Sequence, residues 1–562
     1  MKRCWHVVLF LLLLWTLACS DGSDGSDGSG ASDTGSAADT TTSMDASGED
    51  ILEGDSESGA DDTTDSAMSE PDLPTTERQA QVGVDTDRVV AEISPRYLSV
   101  AVDTAQVVGG TFWNPDGSQG TTGNAFVDPY PFDHPKLRNL AAELAPAYLR
   151  IGGSDADLTW YDLSDDPVEE PPTADEWVMT REQWDRLNRF AIDLDFEVSF
   201  TLNVGPGARD ADRVWQPENA RTLIRYTVEQ GYPVTLWELG NEINAFQAIH
   251  GLDWGISGQA YAEDFAAAKA LIDQEDPGAP LAGPSSAYWP TVGEPILVYE
   301  DFMEEAGEWV DVVTWHYYPQ QSSRCPLAVL EATPTLMLDP MRLAEADIHA
   351  AEVERVRDAW APDVPIWLGE SGHAQCGGAL GVSDRFVSGF WWLDQLGRLA
   401  QRGHRVAVRQ TLSGSDYGML DDDGSFNPRP DYWNSVLWRR LMGTQVLSPL
   451  RMDDDAGLIS YTHCTRGRAG TVTVLLINVE EDAITVSFGE VLGDAQERYR
   501  ITTDDLLSKT WQLNGETQSA SDEGVLPPLE PVATSGPLVM EPTSMAFVVF
   551  PNAGVSVCEG SP

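Results

Sequence analysis

The sequence predicts an α/β protein: a (β/α)8 TIM barrel, then a C-terminal β-sandwich domain that also takes in a strand from the N-terminal side. Three observations lead there. Eight short apolar runs alternate with longer amphipathic stretches between residues 95 and 446. From residue 447 onward apolar runs continue, but turn residues replace the helices between them. Two of the eight earlier runs end on a glutamate, as barrel strands do when they deliver catalytic groups to the C-terminal face.

The chain has 562 residues and a formal charge of −57. Nucleic acid is excluded as a partner, because phosphate affinity comes from Lys and Arg. The first segment, residues 1–18, has Lys2 and Arg3 ahead of "VVLFLLLLWTLA", the layout of a secretion signal. The apolar core is too short for a good membrane span. It ends in "LAC", so a lipoprotein signal is expected, with Cys19 lipidated and the protein exported and held on a bacterial membrane (outer membrane or cell surface) by that anchor alone. Ordinary secretion is the alternative. Residues 19–78 read as a disordered acidic tether rich in Ser, Gly and Asp: 20–77 hold 17 Asp or Glu and no Lys or Arg. Such a segment cannot bury enough apolar surface to offset its chain entropy.

The run at 79–94 is strand-like and precedes the barrel, so it is free to pair into the sandwich. The barrel strands are expected at "YLSVAVD" (97–103), "AYLRIGG" (147–153), "FEVSFTLNV" (196–204), "VTLWELGNE" (234–242), "APLAGPS" (279–285), "VDVVTWHYY" (310–318), "VPIWLGE" (364–370) and "RVAVRQT" (405–411). They are nearly continuous in apolar residues, as parallel strands covered on both faces are. Between them "HPKLRNLAAELA", "REQWDRLNRFAIDL", "PENARTLIRYTVEQG", "AEDFAAAKALIDQ" and "DRFVSGFWWLDQLGRLAQRG" carry helical periodicity. The sandwich, 447–562, contains "TVTVLLINV", "AITVSFGEV", "ERYRITT" and "SMAFVVFP".

Glu242 closes strand four and Glu370 closes strand seven. A single Glu at a strand end is commonly a solvated cap, but a pair at the mouth of one barrel can flank a glycosidic bond. One then donates a proton to the leaving oxygen and the other attacks the sugar carbon. Asn241 stands directly before the first. Glu238, four residues earlier, shares its face and reads as a buried structural partner.

These stretches resemble glycoside hydrolase family 79, the heparanase-like and β-glucuronidase-like members of the clan A retaining glycosidases. The likeness runs through "HPKLRNLAAELAPAYLRIGGSDAD", "WELGNEINAF", "IWLGES", "RPDYWNSVLWRRLMGTQVL" and "VSVCEG", over residues 81–560. It implies Glu242 as acid/base, Glu370 as nucleophile, and Asn241 bonded to the hydroxyl beside the reacting carbon. It also implies Gly377, Gly378 and Tyr417 around a glucuronate carboxylate and Asp103 facing substrate. His316, ending strand six, either orients groups in the site or is a structural histidine. The family pattern joins Cys464 to Cys558. Cys325 and Cys376 remain for a second bond between the loops after strands six and seven. No CxxC or His-rich spacing suggests metal, and no cofactor is implied.

The expected activity is cleavage of β-linked glucuronides, exo or endo, by double displacement, in a protein expected to be monomeric. A clan A glycosidase on a neutral glycoside and an idle glycan-binding lipoprotein are the rivals. After strand five the chain reads "PSSAYWP", without the basic side chains that would meet sulfates. The long loop after strand one offers Trp113, Phe126 and Tyr130 as stacking surfaces for further sugars.

Overall fold

The eight apolar runs form one closed parallel barrel. The structure is a computed structural model and describes residues 78–113, 124–451 and 457–560. The expected signal at 1–18, Cys19 and the tether as far as residue 77 lie outside these. In chain order the barrel strands are Leu98–Asp103, Ala147–Gly152, Phe196–Leu202, Val234–Leu239, Leu281–Tyr288, Val312–Tyr317, Ile366–Ser371 and Val406–Arg409. Each pairs with the next, and the eighth closes on the first with Ala407 opposite Leu98. Strands one and seven are buried along their whole length. Helices cover the outside: Arg181–Asp193 turns Trp184, Leu187, Phe190 and Ala191 inward, and Thr180 and Gln183 satisfy its first N–H groups through a capping box.

The barrel interior is divided along its axis. Leu236, Ala282, Val312, Trp367 and Val408 pack into an apolar plug at the start of the strands. Side chains point to the same face at every second residue. The inward positions that follow are therefore Glu238 after Leu236, and Thr314 and then His316 after Val312. The polar groups of the interior gather at the strand C-termini, above an apolar floor.

The second expected element differs in detail. In place of two sheets there is one eleven-stranded sheet. Arg78–Glu92 lies inside it, antiparallel to Met442–Arg451 and parallel to Ile484–Phe488. The sheet curls over on itself. Phe488 and Phe550 pack ring to ring at 5.0 Å, although their strands are far apart in hydrogen-bonding order. Val82, Leu447, Val474, Val486 and Val548 share the core that results. The C-terminal part of the sheet begins at Met442 rather than at 447, because helix Pro430–Leu441 passes straight into an extended strand without a connecting loop. Gly443 and Thr444, both weak helix formers, permit that transition. Cys464 is bonded to Cys558, closing the C-terminal turn onto this sheet.

The other face of the sheet rests on barrel helix Ser388–Gln401. Gly397 in mid-helix makes the contact possible: a Cβ there would lie 2.2 Å from the Tyr461 ring. The Tyr461 hydroxyl donates to Asp394 Oδ1 at 2.5 Å. Gly397→Val should therefore separate helix and sheet. We expect a loss of about 1–3 kcal/mol from overpacking, read as a lower midpoint in denaturant unfolding; an unchanged midpoint would mean that the contact is not tight.

Candidate active site

Strand four ends its regular pairing at Leu239. The chain then turns at Gly240, whose φ is 69°. A Cβ there would come within 2.2 Å of Val204 Cγ1. Glu242 is thus not the last strand residue; it sits just beyond, in the left-handed region with φ 50° and ψ 53°. A non-glycine residue held there costs about 1–3 kcal/mol and persists only where its surroundings impose the conformation. Here they do. The Glu242 N–H donates to Ser285 O at 3.1 Å. Buried Asp157 accepts from Asn241 N at 2.8 Å and Val204 N at 2.9 Å, tying the turns after strands three and four together. Burial pushes the Asp157 pKa up to about 7, against the pull of those two N–H groups.

Glu370 lies within strand seven, one residue before its end. Each of its oxygens accepts a hydrogen bond. Arg150 Nη1 reaches Oε2 at 2.7 Å, and the Tyr318 hydroxyl reaches Oε1 at 2.6 Å. Arg150 comes from strand two and is buried. Its Nη2 also donates to Glu238 Oε1 at 2.6 Å and to Asn241 Oδ1 at 2.9 Å. Thr201 supplies a further donor to Glu238 at 2.6 Å. Burial opposes the charge on Arg150, but Glu238 and Glu370 outweigh it and hold the pKa above the ordinary arginine value. Glu238 feels the converse: burial favours its neutral form, and Arg150 nevertheless holds it below the usual range.

Glu242 receives no such partner. Burial pushes its pKa up to about 7, with Arg150 only partly opposing. His316 Nδ1 lies 3.2 Å from Glu242 Oε1. Burial lowers the imidazole to about 4, so His316 is neutral at pH 7. A carboxylate oxygen of Glu242, one of Glu370 and a His316 ring nitrogen all lie within 4.8 Å of one another.

The other expected residues surround this cluster. Asp103 ends strand one; its Oδ1 caps the following helix through Ala105 N at 3.0 Å, and its Oδ2 faces Gln410 Nε2 at 3.4 Å. Burial, then the charges of Asp155 and Glu370, raise its pKa well above the ordinary range. Gly377 and Gly378 form a buried turn with φ of 84° and 86°, which side chains rarely adopt. The Gly377 carbonyl accepts from Ser415 Oγ at 2.9 Å, Asp416 N at 3.0 Å and Tyr417 N at 3.2 Å. Among the described residues neither glycine N–H has a hydrogen-bond partner. Tyr417 is buried, its ring centroid 6.4 Å from that of Tyr318. Cys325 is bonded to Cys376, directly ahead of the glycine turn.

Residues 81–397 match the family described as "Glycosyl hydrolase family 79, N-terminal domain". The chain belongs to glycoside hydrolase family 79. Heparanase of Bos taurus is 30% identical over 531 residues, covering 84% of this chain and 91% of that one. A Homo sapiens relative named inactive heparanase-2 is 30% identical over 408 residues, covering 68% and 66%. Among solved structures, a 4-O-α-L-rhamnosyl-β-D-glucuronidase from Fusarium oxysporum superposes with a TM-score of 0.55 at 16% identity, over 83% of this chain and 99% of that one. The last likeness is one of fold, the clan A glycosidase barrel with an added sheet.

In this family 79 enzyme, Glu242, His316 and Glu370 are also the one group of described residues with donor types and spacing for a metal ion. Arg150 and Tyr318 already occupy both oxygens of Glu370, so a cation there would compete with a fixed positive charge. The donor set suits proton transfer and nucleophilic attack better than metal binding.

Sequence reasoning missed Arg150, Tyr318, Thr201 and Asp157. The first had a visible signal, a lone charge inside the apolar run "AYLRIGG"; Tyr318 looked like one more aromatic in "HYY". The loop after strand one changes its reading. Tyr130 is buried against Phe132 at 4.9 Å, so it is core and cannot stack on a sugar. Phe126 is 79% exposed and Trp113 is half-buried; the loop tip at 114–123 lies outside the described residues.

Tyr318→Phe removes one donor to Glu370 and leaves the ring packing. A hydrogen bond to a charged group contributes about 1.5–3 kcal/mol. Turnover should fall about ten- to hundredfold with the unfolding midpoint little changed. Undiminished turnover would show that Arg150 alone sets the position of Glu370.

Proposed function

We propose that this family 79 enzyme is a retaining β-glucuronidase in which Glu242 is general acid and then general base, and Glu370 is the nucleophile. The approach of the two carboxylates to within 4.8 Å, in unequal surroundings, carries the reading. Retaining enzymes keep their carboxyl groups about 5–5.5 Å apart, and inverting enzymes about 6.5–9.5 Å, to admit a water between them. Glu370 is oriented by Arg150 and Tyr318, whereas Glu242 has no cation bonded to it and its burial keeps a proton on it near neutrality.

In the first step Glu370 forms a bond to the anomeric carbon as the glycosidic C–O bond breaks, and the Glu242 proton goes to the leaving oxygen. In the second step Glu242 takes a proton from water. That water attacks the same carbon, and the bond to Glu370 breaks. Asn241, held by Arg150 and Asp157, takes in this reading the role of bonding the hydroxyl next to the reacting carbon. The Gly377–Gly378 N–H groups and Tyr417 support recognition of a carboxylate on the cleaved sugar. Backbone N–H groups in such a turn form an anion-binding concavity.

Glu242→Gln and Glu370→Gln should each nearly abolish turnover in a folded protein. Azide should restore activity to Glu370→Gly and yield the glycosyl azide of inverted configuration, because it attacks from the face that Glu370 vacates. Inversion by the wild-type enzyme, read by NMR of the first-formed product, would refute double displacement. The Glu242 pKa is raised, so its catalytic proton is present below about pH 7 and lost above it. We expect kcat/KM to fall about tenfold per pH unit above that point. A profile flat to pH 9 would separate Glu242 from the acid role.

From residue 78 onward the chain holds 74 Asp and Glu against 32 Lys and Arg. Salt screens such repulsion only beyond a Debye length of about 8 Å. An unsulfated or lightly sulfated glucuronide should therefore be preferred to a densely sulfated chain. An aryl β-glucuronide should show higher kcat/KM than the aryl β-glucoside, and Tyr417→Phe should narrow the gap. Rates that rise with sulfation would count against the reading.

A further inference from the structure

The glycine turn is tied down by groups that the mechanism does not use. Arg324, on the loop after strand six, donates from Nη1 to Gly378 O at 2.8 Å and to Cys376 O at 3.4 Å. Its Nη2 forms an ion pair with Asp416, the residue before Tyr417. Both side chains of that pair are withdrawn from solvent, 9% and 2% exposed. The next residue, Cys325, is bonded to Cys376, the residue before the turn. A short parallel ladder reinforces the link, with Gln320–Gln321 beside Ala374–Gln375 and Gln321 Nε2 donating to Gln375 Oε1 at 2.8 Å.

We infer that Arg324 is a positioning residue that aims the Gly377 and Gly378 N–H groups at the substrate carboxylate, with the Cys325–Cys376 bond setting where its guanidinium reaches. The inference rests on the glucuronide reading above. In a trans peptide the C=O and N–H point in opposite directions. The Gly377 N–H shares a peptide with the Cys376 carbonyl, which Arg324 holds. The Gly378 N–H shares one with the Gly377 carbonyl, which Ser415, Asp416 and Tyr417 hold. With both carbonyls drawn back onto the supporting loops, both N–H groups are turned the other way. Arg324 is committed to Asp416 and to backbone carbonyls, so it acts through the turn and not on the sugar. The same guanidinium anchors the segment carrying Tyr417. One cation thus bears directly on the Gly377 N–H and, through Asp416, on the Gly378 N–H and on Tyr417, across two different loops.

Steady-state kinetics of the full chain on a nitrophenyl β-glucuronide and the matching β-glucoside test this. Arg324→Met combined with Asp416→Asn removes the clamp without leaving a buried charge unpaired; Cys325→Ser with Cys376→Ser loosens it independently. For either double variant we expect the glucuronide KM to rise about tenfold or more while its kcat changes less than about threefold, and the glucuronide-to-glucoside preference to fall by a similar factor. Thermal unfolding monitors both proteins. Should the first variant not fold, the second gives the same readout. A wild-type enzyme with no glucuronide preference overturns the glucuronide reading and this inference with it. A wild-type preference that a folded variant keeps in full, with unchanged KM, overturns the positioning role alone.

Discussion

The Arg150 guanidinium is the interaction on which the site depends. It enters from strand two and reaches Glu238 and Asn241 from strand four and its turn, and Glu370 from strand seven. Removing such ions from water costs several kcal/mol each, and only close, multiple hydrogen bonds offset that loss. Glu238 completes the balance. Without it, the buried guanidinium would face a single carboxylate, Glu370, with only the Asn241 amide oxygen as a further partner. With it, Arg150 is anchored to strand four while it holds Glu370 on strand seven. The apolar plug below, built from Leu236, Trp367 and their neighbours, keeps this network in a dry setting where such bonds are strong.

The same dryness separates the two catalytic candidates. Glu242 lies within 4.8 Å of Glu370 but is not bonded to Arg150. Burial then acts on it almost unopposed, and neutral His316 adds no positive charge to counter that effect. The difference between the two glutamates lies in their neighbours, not in the residues themselves. It is reinforced by backbone: the left-handed turn at Glu242 is imposed by Asp157 and Ser285, so its carboxyl is presented by a strained, well-held segment rather than by the strand itself.

Around this centre the loops divide the work. The turn after strand two brings Gly153 close to Asp103, where a Cβ would meet Oδ2 at 2.0 Å. The loops after strands six, seven and eight are joined by a disulfide, an ion pair and the carbonyl of Gly377. The curled sheet stands behind the barrel, and its contact through Gly397 and Tyr461 braces the helix that follows the strand-seven loop. Loops on a barrel face are ordinarily the most variable part of the fold; here cross-links take the place of regular structure.

Much of this was legible in the chain itself. Unbroken apolar runs between amphipathic stretches mark parallel strands, because a strand covered on both faces has no polar side to show, and eight of them have a closed barrel as their simplest arrangement. The glutamates ending "WELGNE" and "IWLGE" mark the face where chemistry is expected, since strand ends in a barrel converge. Tertiary structure alone decided the rest. Arg150 and Tyr318 are neighbours of Glu370 only once strands two, six and seven close into a ring, and no local pattern encodes that meeting. Tyr130 had the composition of a sugar platform, but packing on Phe132 made it core. The single curled sheet could not be told from two stacked ones, because both show the same alternation along each strand. Burial, which raises Glu242, and the carboxylates that keep Arg150 charged against that same burial belong to the assembled interior and to no stretch of sequence.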